Sequence, residues 1–134
     1  MSRSIDQFQD TLDVRDIIAR YEELETERED LDDDEAALIE WTESEDGQEY
    51  TALRALLDDL RGNGGDEQWR GDWYPLTLIR ASYFVEAMRE LCEDIGDIPE
   101  KFPHYIEIDW TKTAENLRVD YTATEFNGVT YWYR

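Results

Sequence analysis

Positive charge is what this sequence lacks most. Thirteen Lys and Arg stand against 35 Asp and Glu in 134 residues, and the formal net charge at pH 7 is −22. Nucleic acid and anionic membranes carry the same sign and would be repelled, so no direct nucleic-acid or membrane binding is expected and a basic partner is. One cysteine, Cys92, rules out an internal disulfide and fits a reducing compartment. No apolar run approaches the length that spans a bilayer, and the opening MSRSIDQFQD has no apolar signal-peptide core, so a cytoplasmic protein is expected. The sole histidine, His104, lies in a Pro-flanked connection with no Cys or Ser motif beside it, and reads as structural or solvated. GNGG at 62–65 is followed by acids and lacks the lysine of a phosphate loop. Asp30, Asp32 and Asp34 match the first ligands of a calcium loop, but Glu35 stands where its glycine belongs and Trp41 where its closing glutamate belongs. Paired carboxylates are too plentiful here to point to hydrolysis. These absences lead to the expectation of a non-enzyme without cofactor or metal.

What is present argues for a folded chain. Hydrophobic residues make up 40% and aromatics 13%, including five Trp, which is far from a disordered composition. The charge is uneven: residues 1–67 carry a net −17 and residues 68–134 a net −5, while most aromatics fall in the second part. An α+β protein is expected, with an acidic helical arm or hairpin over 1–67 and a compact body over 68–134.

In the arm, Leu12, Val14, Ile17, Ile18, Tyr21, Leu24 and Leu31 recur at helical spacing and predict an amphipathic helix from 11 to about 30, capped by Asp10 or Asp13. Ala36, Ala37, Leu38, Ile39 and Trp41 predict a shorter helix. Tyr50, Leu53, Leu56, Leu57 and Leu60 predict a third, ended by the glycines after Arg61.

Between 22 and 49 fifteen carboxylates are opposed only by Arg28. Like charges four residues apart on a helix, such as Glu23 with Glu27, cost a few tenths of a kcal/mol per pair. A solvated, loosely ordered charge run is the ordinary explanation. The apolar period beneath the charge argues instead for a folded acidic face, and a fixed lattice of carboxylates can imitate one of phosphates. A charge of −22 equals that of roughly 37 Å of duplex, on the order of ten base pairs. The candidate partner-binding residues are Glu22, Glu23, Glu27, Asp30, Asp32, Asp33, Asp34, Glu35, Glu43, Glu45 and Asp46.

In the body, Leu76–Arg80 predicts a strand, and Ser82 caps a helix over 83–95 that buries Phe84, Ala87, Met88 and Leu91 and leaves Cys92 partly buried and inert. Asp109 is placed to cap a helix over 110–117. Asn127-Gly128 between β-rich runs predicts a type I′ hairpin. A three-stranded antiparallel sheet with two to three helices is expected. The segment WRGDW at 69–73 is either a recognition patch or a lid with Arg70 on an indole. The terminal strand carries apolar groups on both faces, and Val129, Tyr131, Trp132 and Tyr133 are the candidates for a homodimer interface.

Residues 80–134 resemble the C-terminal domain of ArdA-type antirestriction proteins. The likeness rests on an acidic helix ending in the turn Glu93–Ile98, on Tyr105, Ile106, Asp109 and Trp110, on a helix ending at Leu117, and on the terminal strand pair. The resemblance implies DNA mimicry by an elongated acidic dimer that occupies the basic DNA-binding surface of a host restriction-modification complex. A CRISPR complex is a further target of the same kind, and the arm-plus-body pattern is that of small phage and mobile-element proteins acting in the host bacterial cytoplasm. The other expectation is a non-catalytic adaptor that binds a partner through its aromatic body.

Overall fold

The computed structural model describes residues 4–96 and 105–134. His104, and the far end of the Glu93–Ile98 turn, lie outside the described residues. The chain is mixed helix and sheet, as the α+β expectation has it.

Asp10 and Thr11 do not begin a helix. Strand β1 (Thr11–Asp13) comes first, and its last residue caps helix α1 (Val14–Glu29), the Asp13 carboxylate accepting from the Arg15 backbone N–H at 2.8 Å. Helix α2 (Glu35–Glu43) is capped by Asp34 and α3 (Glu45–Leu60) by Ser44. Strands β2 (Glu67–Trp69) and β3 (Asp72–Tyr74) pair as a short hairpin, followed by β4 (Thr77–Arg80). A 3-10 turn at Ala81–Tyr83 leads into α4 (Phe84–Asp94) without a side-chain cap, so Ser82 does not play the part its identity suggests. Helix α5 (Trp110–Arg118) is capped by Asp109. Strands β5 (Thr122–Phe126) and β6 (Val129–Tyr133) close the chain around Asn127 and Gly128, both at positive φ, as a type I′ turn requires.

The sheet has four strands in the order β1-β4-β6-β5, every pair antiparallel, rather than three. Its two faces are both covered. Leu12, Leu78, Phe126, Tyr131 and Tyr133 pack with Ile17, Leu24, Leu53, Leu57 and Leu60 of α1 and α3. On the opposite face Ile79 and Trp132 meet Phe84 and Met88 of α4 and Ala114 of α5. The alternation along β6 delivers its side chains to the two layers in turn.

This packing bears on the arm-and-body division and on the strand expected at a dimer interface. Residues on both sides of the charge boundary share one core, which runs from Leu12 to Tyr133, because α1 and α3 pack on the same sheet face as Leu78, Phe126, Tyr131 and Tyr133. The dimer surface expected at Val129, Tyr131, Trp132 and Tyr133 is not open. β6 is an interior strand between β4 and β5, Tyr131 and Tyr133 are buried, and Val129 and Trp132 pack on the two cores. On α4, Cys92 points inward and Leu91 is exposed, the reverse of the expected pair, because the buried stripe is Phe84, Met88 and Cys92 at four-residue steps.

Candidate functional site

The acidic surface is built on three consecutive helices whose inner faces are fixed by the main core. Val14, Ile17, Ile18, Tyr21 and Leu24 turn inward from α1. That leaves Glu22, Glu29 and Asp30 exposed, with Glu23 and Glu27 half-buried at the edge of the packed stripe. The turn to α2 exposes Asp32, Asp33 and Asp34, and α2 itself, which has no buried residue, exposes Glu35, Glu40 and Glu43. What holds α2 is Trp41, edge-on to Tyr50 of α3 with ring centroids 5.7 Å apart. Gly47 makes a second close approach, since a Cβ there would lie 2.2 Å from the Trp41 carbonyl oxygen. Glu45 is exposed and Asp46 half-buried at the start of α3.

These carboxylates are not equivalent. Asp34 bonds the Ala37 N–H as an N-cap, and Glu35, Glu45 and Asp46 lie in first helical turns, where the helix dipole favours negative charge. Glu27, Glu29 and Asp30 lie at the end of α1, where the dipole disfavours it. The Glu27 Oε2 atom is shielded from solvent with no hydrogen-bond partner among the described residues. For Glu27, Glu29, Asp30, Asp32 and Asp33 no ion pair forms among the described residues, so no described cation neutralises them.

Other acids of the run are held internally. Arg20 is buried, and its guanidinium reaches Glu49 at 2.8 Å, Asp46 at 3.3 Å and Glu23 at 3.6 Å. Burial works against its charge, but the bond to Glu49 and the neighbouring carboxylates prevail and push the guanidinium above its ordinary value. Glu49 also accepts from the Ser4 hydroxyl and the Ile5 N–H, both at 2.8 Å, and so ties the start of the chain to α3. Glu23 and Asp46, read from sequence as partner-binding, thus serve the fold as well.

WRGDW is the turn of the β2–β3 hairpin, with Arg70 at φ 49° and Gly71 at φ 84°. Trp69 is half-buried, edge-on to Tyr21 at 5.7 Å, and its indole N–H donates to Glu22 at 3.2 Å. Arg70 stacks 4.4 Å from the Trp69 ring centroid and bonds Glu25 at 2.6 Å. That bond, ahead of the opposing effect of burial, holds the Glu25 carboxyl below its ordinary value. The lid alternative therefore describes Trp69 and Arg70, although the lid closes on α1. Of the two tryptophans, Trp73 is the open one, with 48% of its surface exposed.

Sequence reasoning missed Arg20, Glu49 and Glu25 as the residues that organise this surface. Apart from Glu23, the partners named lie 26 to 45 positions away, where no local pattern announces them. Among the described residues no group of three or more His, Cys, Asp or Glu converges as a metal site requires, and no helix is long and apolar enough to cross a membrane. No protein-family profile, curated protein or solved structure matches this chain.

Proposed function

We propose that the chain is an acidic DNA mimic, a non-catalytic inhibitor that occupies the basic DNA-binding surface of a bacterial defence nuclease complex of restriction or CRISPR type. The ArdA-type likeness of residues 80–134 and the phage or mobile-element origin belong to the same proposal. One observation carries it. Glu27, Glu29, Asp30, Asp32 and Asp33 sit at the junction of two capped helices, on a folded scaffold, without ion pairs among the described residues. Three of them oppose a helix dipole, so folding stability does not explain them. A partner lined with Lys and Arg does.

The exposed Trp73 favours a second reading, an adaptor that docks through an aromatic group while the acids merely solubilise it. Salt separates the two, since charge pairing weakens as ions screen it and aromatic docking does not. The test is displacement of a labelled duplex from purified type I restriction and CRISPR surveillance complexes. Release of duplex from one of them, with no shift of naked duplex by the protein itself, is expected. A protein that binds the duplex directly contradicts the proposal.

A further inference from the structure

Strand β5 is an outer strand of the four-stranded sheet, and among the described residues no strand pairs with its free edge. The two-residue turn at Asn127-Gly128 makes Phe126 and Val129 a hydrogen-bonded pair. The bonded pairs of this hairpin are therefore Phe126–Val129, Thr124–Tyr131 and Thr122–Tyr133. Ala123 and Glu125 fall between them, so their backbone N–H and C=O groups point away from β6. Both residues are exposed, and among the described residues no other backbone group bonds these amides. Natural sheets protect a free edge by shortening it or by placing Pro or Lys on it. The opposite edge strand, β1, has three residues, whereas β5 has five, TATEF, with neither Pro nor Lys.

What lies beside the edge selects the partner. An open groove of about 510 Å³ runs between α3 and β5, lined by Ala55, Asp59, Ala123, Thr124, Glu125 and Thr130. The alanines leave room for an incoming chain, and both charged residues of the lining are acids. The Thr124 hydroxyl donates to Asp59 at 2.6 Å and holds that carboxylate at the groove. Glu125 forms no ion pair among the described residues. Arg118 stacks on Trp132, the residue opposite Ala123, so the attraction for a cation is greatest at the Glu125 end of the strand. We propose that β5 takes up an extended basic segment of a partner protein as a fifth strand of this sheet. Ala123 and Glu125 supply its backbone donors and acceptors, which is the general mode of strand addition. A Lys or Arg opposite Glu125 sets the register, because opposite charges across a strand pair attract and like charges repel. The alternate residues of the segment face Ala55 and are small or apolar. A second copy of this chain fits poorly, since it brings another −22 and its own Glu125 and Asp59 to the same edge. The site uses none of the carboxylates at the end of α1 and does not depend on mimicry.

The experiment follows amide hydrogen exchange in the ¹⁵N-labelled protein at about 0.15 M salt, with a capped hexapeptide of alternating Lys and Val as the probe. A chain this acidic attracts any cation, so the controls separate strand pairing from charge alone. One is the same peptide N-methylated at every residue, which keeps the charge and removes the donors. The other is the alternating Glu and Val peptide. With the Lys-Val peptide at saturation, exchange at the Ala123 and Glu125 amides is expected to slow at least tenfold. The N-methylated peptide is expected to give no protection there, and the Glu-Val peptide to bind at least tenfold more weakly. Ala123→Pro removes an outward donor and no bond to β6, and is expected to weaken binding of the Lys-Val peptide at least tenfold. The peptide comparison on the unaltered protein decides the question even if that variant misfolds. The site is overturned by unprotected Ala123 and Glu125 amides, by equal protection from the N-methylated peptide, or by unweakened binding in Ala123→Pro. Protection that grows with protein concentration in the absence of peptide also overturns it, because the occupant is then a second copy.

Discussion

Arg20 shows how a single cation organises an acidic surface. It is buried among Glu23, Asp46 and Glu49, so its loss leaves several carboxylates facing one another in a poorly solvated spot. Removing one partner of such a buried pair is worth about 3 kcal/mol. Arg20→Ala is therefore expected to lower stability by about that amount in urea unfolding, and Glu49→Gln by less, because Glu49 still has its amide and hydroxyl donors. Asp34 is a different kind of residue: its carboxylate is an N-cap, so Asp34→Ala costs about 1 kcal/mol while Asp34→Asn is close to neutral. Caps are legible in a sequence because they act within three residues: Asp109 caps α5 as its position indicates, and of the two candidates Asp10 and Asp13 it is Asp13 that caps α1. Arg20 was not legible, since its role depends on residues brought close only by the packing of α1 on α3.

At the scale of elements, the same distinction decides what sequence alone conveys. The helices of the N-terminal half follow from apolar periods, and the terminal hairpin follows from Asn127-Gly128, whose positive φ values only a few residue types tolerate. Strand β1 falls within the helix that the apolar spacing predicts, because three residues are too few to show a period of their own. Its strand geometry comes from pairing with β4, Leu12 opposite Leu78. The β2–β3 hairpin was hidden for the same reason. Two contacts fix elements to one another and can be tested. Gly47 leaves no room for a Cβ against the backbone of Trp41 and Thr42. Gly47→Ala is expected to push α2 off α3, to cost about 1–3 kcal/mol as overpacking does, and to change the near-ultraviolet circular dichroism of Trp41. The Arg70–Glu25 pair clamps the hairpin to α1, and the lowered Glu25 value fixes its pH dependence. A carboxylate lowered on folding stabilises fully above its unfolded value of about 4.3, and that stabilisation disappears as pH falls through the folded value. The melting temperature of the wild type should thus exceed that of Glu25→Gln at pH 7, and the gap should close as pH drops below about 4.

For the whole molecule, −22 in 134 residues means that folding gathers mutually repelling charge. Added salt screens that repulsion, and the melting temperature should rise between about 0.02 M and 0.5 M sodium chloride, a range over which the Debye length falls well below 10 Å. The carboxylates at the end of α1 contribute most to this strain per residue, since they oppose the helix dipole as well as one another. They are also the ones on which the mimicry proposal rests, so stability and function are predicted to move in opposite directions. The most direct measurement compares the wild type with a variant in which Glu27, Glu29, Asp30, Asp32 and Asp33 are all changed to their amides, leaving the Asp34 cap intact. Inhibition of duplex binding by the target nuclease complex is measured for both at about 0.15 M and 0.5 M salt, beside their melting temperatures. The account predicts that the amide variant melts no lower than the wild type, inhibits at least tenfold more weakly at the lower salt, and loses much of its salt dependence. A variant that inhibits as strongly as the wild type, with the same response to salt, would contradict it.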